Sequence, residues 1–164
     1  MILAIDPGTT ESALVWYDGT RPIEAFVCEN SISLEELPAN SPSAVVCEML
    51  ACYGNPVGKE TFETAYHIGR IMAACDAEGL PFHRVYRSEV KLHLCGTMRA
   101  KDANVRQALL DKFGGSRQAA CGTKKAPGPL HGIKSHCWSA LAVAVCFAET
   151  RLLTISDANL GGGE

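Results

Sequence analysis

Three polar side chains in this sequence adjoin apolar runs, where a charged group needs a partner. Asp6 and Glu48 each follow four apolar residues, and His136 comes directly before a long apolar run. A carboxylate at the end of a buried strand is costly unless a cation lies opposite it. Oxygen ligands with room for water suit Mg²⁺ or Mn²⁺, and an imidazole favours Mn²⁺ slightly. We expect these residues to hold two ions, which can activate a water and stabilise the leaving oxygen of a phosphodiester.

Two of these residues also have a purely structural interpretation. Asp6 precedes Pro7 and Gly8, which stop a strand and permit a sharp turn, so Asp6 could simply begin that turn. His136 could cap the helix that follows it. The sequence leaves both alternatives open.

The elements that must position these residues are those of an α/β fold, with about five strands in a mixed sheet and helices packed on its faces. The apolar runs predict strands over 2–5, 12–17, 23–28, 44–47 and 82–86. The first three form an antiparallel meander, because Asp18-Gly19 is a strong hairpin turn. If the first and fourth strands are neighbours, Asp6 and Glu48 lie side by side.

Helical periodicity predicts helices over 61–78, 88–94 and about 102–113, and a buried helix from near Ser135, a good N-cap. The predicted inner face of the first helix carries Phe62, Ala65, Tyr66, Gly69, Met72 and either Cys75 or Asp76. We expect a connection over 29–43 and a mobile basic loop over 115–132. One domain is predicted over 1–154, followed by a loose tail over 155–164.

Charge is distributed unevenly along the chain. The formal net charge is −3, yet residues 84–134 contain 11 Lys and Arg against three acids and therefore carry +8. A basic segment on a mildly acidic protein indicates a polyanionic partner, although it could also be a solvated helix surface.

Composition narrows the class of protein further. Hydrophobic residues make up 47% and charged residues 20%, as in a globular domain. The eight cysteines include no Cys-x-x-Cys pair, which favours buried thiols in a reducing compartment over a zinc site. No apolar run is long enough to span a membrane, and no signal peptide precedes the domain, so we expect a cytoplasmic protein.

Four motifs in order give the chain a family resemblance. They are Ile2-Leu-Ala-Ile-Asp-Pro-Gly-Thr-Thr10, Val46-Cys-Glu48, the pair Val90-Lys-Leu-His-Leu-Cys-Gly96 and Ala100-Lys-Asp-Ala-Asn-Val105, and Ser135-His-Cys-Trp-Ser-Ala-Leu-Ala-Val-Ala144. Together they resemble the RuvC family of Holliday-junction resolvases, most closely its shorter phage-encoded branch. The resemblance covers nearly everything from Met1 to about Arg151.

The resemblance implies an RNase H-like fold, a homodimer, and a metal-dependent endonuclease that makes paired nicks in four-way DNA junctions. Asp6 and Glu48 match the family's first two metal-binding acids. In the last helix the family carries two ligands three residues apart, the second an acid, and here those positions are His136 and Ser139. Ser139 could coordinate only weakly or through water. Asp102 is the nearest candidate for a substitute ligand, although Asp at a helix start is more often a cap.

The resemblance also implies residues that contact DNA. The family presents basic groups to the scissile phosphate where Arg99 and Lys101 stand, and Lys101 is the candidate for a catalytic role. Tyr53 lies where the family places aromatics that wedge into the junction. The basic segment adds three further candidates for DNA binding, Lys124, Lys125 and Lys134.

Other functions fit parts of the sequence. The opening turn also resembles the phosphate-binding turn of sugar kinases and heat-shock chaperone ATPases, but those need two such domains, for which 164 residues leave no room. An RNase H-like nuclease with another substrate is one alternative. A junction-binding protein whose active site has decayed at Ser139 is another.

Overall fold

The sheet has five strands, as predicted. The computed structural model describes residues 1–37, 41–52, 54 and 56–158. Its strands are β1 (Ile2–Pro7), β2 (Glu11–Tyr17), β3 (Pro22–Glu29), β4 (Ala44–Met49) and β5 (Phe82–Tyr86), in the order β3-β2-β1-β4-β5. The first three strands are antiparallel, while β4 runs parallel to β1 and β5 runs parallel to β4.

The helices are α1 (Asn30–Glu35), α2 (Lys59–Glu78), α3 (Arg87–Cys95), α4 (Asp102–Gly114), α5 (Arg117–Cys121) and α6 (Cys137–Ala158). The α1 helix lies inside the segment predicted to be a connection. The α6 helix reaches four residues into the predicted tail, and residues 159–164 lie outside the described part of the chain. None of the described helices is both long and apolar enough to cross a membrane.

Alternation along β1 and β4 divides the core between the two faces of the sheet. Ile2, Ala4 and Val46 pack on the face covered by α6, with α3 and α4 beside it. Leu3 and Val45 point to the opposite face, which is covered by α2. Because side chains alternate with a period of two, Asp6 and Glu48 also point to the α6 face.

The predicted inner face of α2 is wrong except at its last position, Cys75. Its buried residues are Thr64, His67, Ile68, Ile71 and Cys75, whereas Phe62, Ala65, Tyr66, Gly69 and Met72 are exposed. The exposed stripe has the same helical spacing as a buried one, so periodicity alone cannot distinguish them.

The segment 115–132 is also not the irregular loop that we predicted. It contains α5 and then folds back, so that the Leu130 amide donates to the Ala120 carbonyl at 2.7 Å and both side chains are fully buried. The close approach needs Gly128, where an added Cβ would lie 2.4 Å from backbone oxygens of α5. Tertiary packing therefore orders a segment that lacks local periodicity.

The cysteines are only partly as predicted. All eight are described and all are free thiols. Those at positions 47, 75, 137 and 146 are buried, those at 28, 95 and 121 are half-buried, and Cys52 is exposed.

The turn that follows β1 is fixed by Asn30. Its side-chain amide donates to the carbonyls of Gly8 and Thr9, both at 3.1 Å, and its Oδ1 accepts from the Ser12 hydroxyl at 2.7 Å. The chain passes so close to itself here that a Cβ on Gly8 would lie 2.4 Å from the Glu11 carbonyl oxygen.

We therefore expect Gly8→Ala to lower the free energy of unfolding by about 1–3 kcal/mol, because backbone atoms must move to admit the methyl group. Gly69→Ala is the matched control, since nothing lies within 4 Å of a Cβ there and Ala stabilises helices by up to about 1 kcal/mol. Urea denaturation of both variants measures the effect. A Gly8→Ala protein as stable as the wild type would contradict it.

Candidate active site

The site is built by the register of two parallel strands. Ile5 of β1 lies opposite Cys47 of β4, so the next residues, Asp6 and Glu48, leave the sheet side by side on the same face. Both strands are apolar up to that point, which fixes their depth in the core. The sequence therefore places two carboxylates together near the carboxyl ends of the central strands.

Asp6 lies in an unfavourable environment for a negative charge. Its side chain is only 18% exposed, and His136 Nδ1 lies 3.5 Å from Asp6 Oδ2. Burial and then the negative charge of Glu48 raise the pKa of Asp6 to about 6, although His136 and Arg87 act in the opposite direction. A raised carboxyl pKa means that the local positive charge does not fully compensate burial. A cation beside Asp6 would therefore be stabilising.

Glu48 has a strong partner in Arg87, the first residue of α3. Arg87 Nη1 donates to both carboxylate oxygens of Glu48, at 2.9 and 3.2 Å, and lies 3.5 Å from the Ser139 hydroxyl. Arg87 Nη2 lies 2.8 Å from Asp102 Oδ1. Burial lowers the pKa of Arg87, but contact with Glu48 and Asp102 outweighs it and raises the pKa overall. The guanidinium thus bridges two carboxylates and stays charged.

The oxygen of Asp102 that contacts Arg87 also lies 3.8 Å from Lys91 Nζ. The hydrogen bond from Arg87 is the main cause that lowers the pKa of Asp102. We considered Asp102 as a substitute metal ligand. In this structure its carboxylate is instead paired with two cationic side chains.

His136 and Ser139 lie near these groups, and α6 begins close to the predicted start, although Ser135 is not the residue that directly precedes it. Ser135 has a left-handed backbone, with φ of 45°, and α6 starts at Cys137. The His136 carbonyl accepts from the amides of Ser139 and Ala140, so His136 is the last residue before the helix. Its imidazole is 75% exposed and points toward Asp6.

A groove of about 620 Å³ runs past these residues. Its apolar floor includes Val105 and Trp138, and the Arg106 guanidinium carbon lies 4.5 Å from the centre of the Trp138 ring. Lys91 and Arg106 add positive charge to its lining. A groove whose lining combines carboxylates with cationic groups suits a phosphodiester that approaches a bound metal.

The predicted DNA-binding residues lie outside this lining. All of those that the structure describes are exposed, namely Arg99, Lys101, Lys124, Lys125 and Lys134. Lys101 directly precedes α4, and its amide donates to the Asn104 side chain at 2.9 Å. Tyr53 lies outside the described residues.

Three residues of the groove were missed in the sequence, Arg87, Lys91 and Arg106. A signal existed for Arg87, because it directly follows β5, the third of the parallel strands. Asp6, Glu48 and Arg87 all lie at the carboxyl ends of neighbouring parallel strands, where ligands bind in open α/β sheets.

The donor set fits one cation better than two. Asp6 and His136 face one another with unbalanced negative charge at Asp6, whereas Glu48 is already in contact with Arg87. Within the described ranges, no three His, Cys, Asp or Glu side chains are grouped closely enough to hold a metal ion by themselves. Water or a phosphate oxygen would have to complete the coordination.

The fold is similar to that of solved RuvC structures. A Thermus thermophilus RuvC structure matches with a TM-score of 0.66 and 23% sequence identity, over 93% of this chain and 96% of that chain. A T. thermophilus RuvC structure in complex with Holliday junction substrate matches with a TM-score of 0.67 and 24% identity, over the same shares. No protein-family model matches the sequence, and a comparison with curated proteins gave no match. The chain therefore has the RNase H-like fold of RuvC, as predicted.

Because the pKa of Asp6 is raised, we expect the stability of the protein in metal-free buffer to depend on pH. The folded protein holds this proton up to about pH 6, whereas an ordinary Asp in the unfolded chain releases it near pH 4. The protonated Asp6 therefore contributes fully to the free energy of unfolding below pH 4. This contribution, up to about 3 kcal/mol, is lost as the pH rises from 4 through 6.

Chemical denaturation between pH 4 and 7 measures this loss, and Asp6→Asn provides the control because it cannot titrate. We expect the wild type to lose stability relative to Asp6→Asn across this range. Addition of Mn²⁺ should reduce the difference, since a bound cation favours the ionised carboxylate. Parallel pH profiles for the two proteins would contradict the assignment.

Proposed function

We propose that the protein is a divalent-metal-dependent, structure-selective endonuclease that resolves four-way or other branched DNA junctions by paired phosphodiester nicks. The observation that carries the proposal is the meeting of Asp6, Glu48 and His136 beside a groove with cationic lining. The similarity to a RuvC structure solved with a Holliday junction supports the choice of substrate. The setting proposed is the cytoplasm of a bacterial cell or of a phage-infected host.

In this proposal, Asp6, Glu48 and His136 hold Mg²⁺ or Mn²⁺. When bound, such an ion activates a water and stabilises charge on the leaving oxygen. The chain's own residues do the rest of the work. Lys91 and Arg106 attract and orient the phosphodiester, and Lys101 is the further basic group proposed to contact the scissile phosphate.

The positive charge of residues 84–134 supports DNA as the partner. This segment contains α3, α4 and α5, and two of these helices, α3 and α4, line the groove directly. Arg99, Lys124, Lys125 and Lys134 extend the positive surface away from the groove, and Tyr53 is retained as a candidate for junction contact. Phosphate contacts of this kind provide affinity and position, whereas junction shape provides selectivity.

The carboxylates provide the direct test. Asp6→Asn or Glu48→Gln should reduce cleavage of a synthetic four-way junction by at least about a thousandfold in Mg²⁺, since each removes a metal ligand. Junction binding should be retained, because removing a negative charge does not weaken contact with a polyanion. Gel-resolved nicking, with matched linear duplex as a second substrate, measures both rate and selectivity.

Asp76→Asn is the matched control, because Asp76 is an exposed acid on α2. Cleavage within tenfold of the wild type by either active-site variant would contradict the metal-site assignment. The same assay separates the alternatives. Binding without nicking indicates a junction-binding protein, an alternative that is favoured by Ser139 in place of an acid. Equal or faster cleavage of an RNA–DNA hybrid indicates a nuclease with another substrate.

Paired nicks require two active sites, and α2 offers a surface for a second copy of the chain. Its exposed stripe carries Phe62, which is 66% exposed, Tyr66, which is 69% exposed, and Met72. Such a row of large apolar side chains on one helix is typical of an interaction surface. We propose that the homodimer forms through this stripe.

A double substitution, Phe62→Glu with Tyr66→Glu, should convert the dimer to a monomer, because it places charges in a desolvated interface. Light scattering after size exclusion measures the mass. Ile23→Glu is the control, since Ile23 is a similarly exposed apolar residue on β3. A monomeric wild type, or a double variant that stays dimeric, would contradict this surface as the interface.

A further inference from the structure

We propose that the guanidinium of Arg87 takes the place of a second metal ion, so that each active site works with one resident divalent cation on the Asp6 side of Glu48. This inference rests on the proposed function and specifies the metal content of the same site. It replaces the expectation, from sequence, that two ions are bound.

The contacts of Arg87 support this assignment. Its Nη1 donates to both oxygens of Glu48, at 2.9 and 3.2 Å, and its Nη2 lies 2.8 Å from Asp102. A metal ion that approached Glu48 from this side would meet a fixed positive charge at contact distance. Nη1 and Nη2 of one planar guanidinium each bind a different carboxylate, so this rigid group fixes the positions of Glu48 and Asp102 relative to each other.

The ligand chemistry on this side also disfavours a metal. Ser139, three residues after His136, supplies a neutral hydroxyl rather than a carboxylate, and that hydroxyl lies 3.5 Å from Arg87 Nη1. Mg²⁺ and Mn²⁺ bind carboxylates in preference to neutral hydroxyl groups. The acid that would hold a second ion is therefore missing where the guanidinium is present.

The charge of the site is consistent with one cation. Three carboxylates (Asp6, Glu48 and Asp102) line the groove together with three cationic side chains (Arg87, Lys91 and Arg106), so the formal charges of these groups balance before an ion binds. One divalent ion and one bound phosphodiester together leave one positive charge. A second divalent ion would raise this to three.

In this arrangement Arg87 contributes to catalysis through its charge. A guanidinium has five N–H donors, more than its contacts with Glu48 and Asp102 require. It can therefore donate to a phosphate oxygen while it keeps Glu48 in place. Donors of this kind stabilise the charge that develops in the transition state, and loss of one typically costs about 10²–10³ in rate.

The test counts Mn²⁺ ions on the full-length protein bound to a four-way junction. Electron paramagnetic resonance distinguishes an isolated Mn²⁺ from a coupled pair, and titration gives the number per chain. We expect one uncoupled ion per chain in the wild type. Arg87→Met combined with Ser139→Asp, which removes the cation and supplies the missing acid, should bind two coupled ions.

Nicking rates on the same samples give a second readout. The nicking rate of Arg87→Met alone should fall by about 10²–10³. In Mn²⁺, the double variant with Ser139→Asp should nick at least about tenfold faster than Arg87→Met. Arg87→Lys keeps the positive charge but not the planar guanidinium, and it should lose less activity than Arg87→Met. Arg21→Met, in the hairpin between β2 and β3, is the matched control and should change neither the ion count nor the rate. Thermal denaturation verifies that each variant is folded.

The outcomes separate this inference from the proposed function. Two coupled ions in the wild type overturn the inference but leave the endonuclease standing, and this measurement needs no variant to fold. A folded double variant that binds one ion also overturns it. A wild type that binds one ion yet nicks no branched DNA overturns the proposed function alone, and a wild type that binds no Mn²⁺ overturns both.

Discussion

Two carboxylates that leave adjacent parallel strands side by side repel one another, and much of the surrounding structure compensates for this repulsion. The pairing of β1 with β4 holds Asp6 and Glu48 side by side. The two strands could move apart only with loss of core packing. Arg87 contacts Glu48 directly, whereas the nearest basic group to Asp6 is the exposed imidazole of His136, and Arg87 acts on Asp6 from further away. The two sides of the site are therefore electrostatically unequal, and that inequality determines where a cation is stabilised.

The compensation depends on elements that are far apart in the chain. Arg87 begins α3, Asp102 begins α4 and Ser139 lies in the first turn of α6, yet the Asp102 carboxylate and the Ser139 hydroxyl both lie against Arg87, which in turn binds Glu48. The α6 helix is buried because nearly every side chain from Cys137 to Ala148 is apolar, so its start is set by the core rather than by a local cap. The site is rigid because the packing of three helices against one sheet face determines it.

The sequence was sufficient for the central strands and their carboxylates, because apolar runs that end on an acid are a local signal. It was insufficient wherever the signal depended on tertiary contacts. The stripe of Phe62 and Tyr66 has the spacing of a core face, and only the docking of Ile68 and Ile71 on the sheet shows that it lies outside. The pairing of Leu130 with Ala120 joins residues that no periodicity links. Arg87 was missed because its position directly after β5 becomes informative only once β5 is known to run parallel to β4, and its partners Glu48 and Asp102 are distant in sequence.

The distribution of the thiols has a practical consequence for spectroscopy. Cys47, which immediately precedes Glu48, points to the α2 side of the sheet, and burial raises the pKa of its thiol so that it stays protonated. Burial likewise raises the pKa of Cys75 to about 11. Thiolates are the species that react with maleimides. Cys52, the exposed thiol of the eight, lies three residues beyond β4, so a fluorophore could be attached to the unaltered sequence just after the strand that carries Glu48.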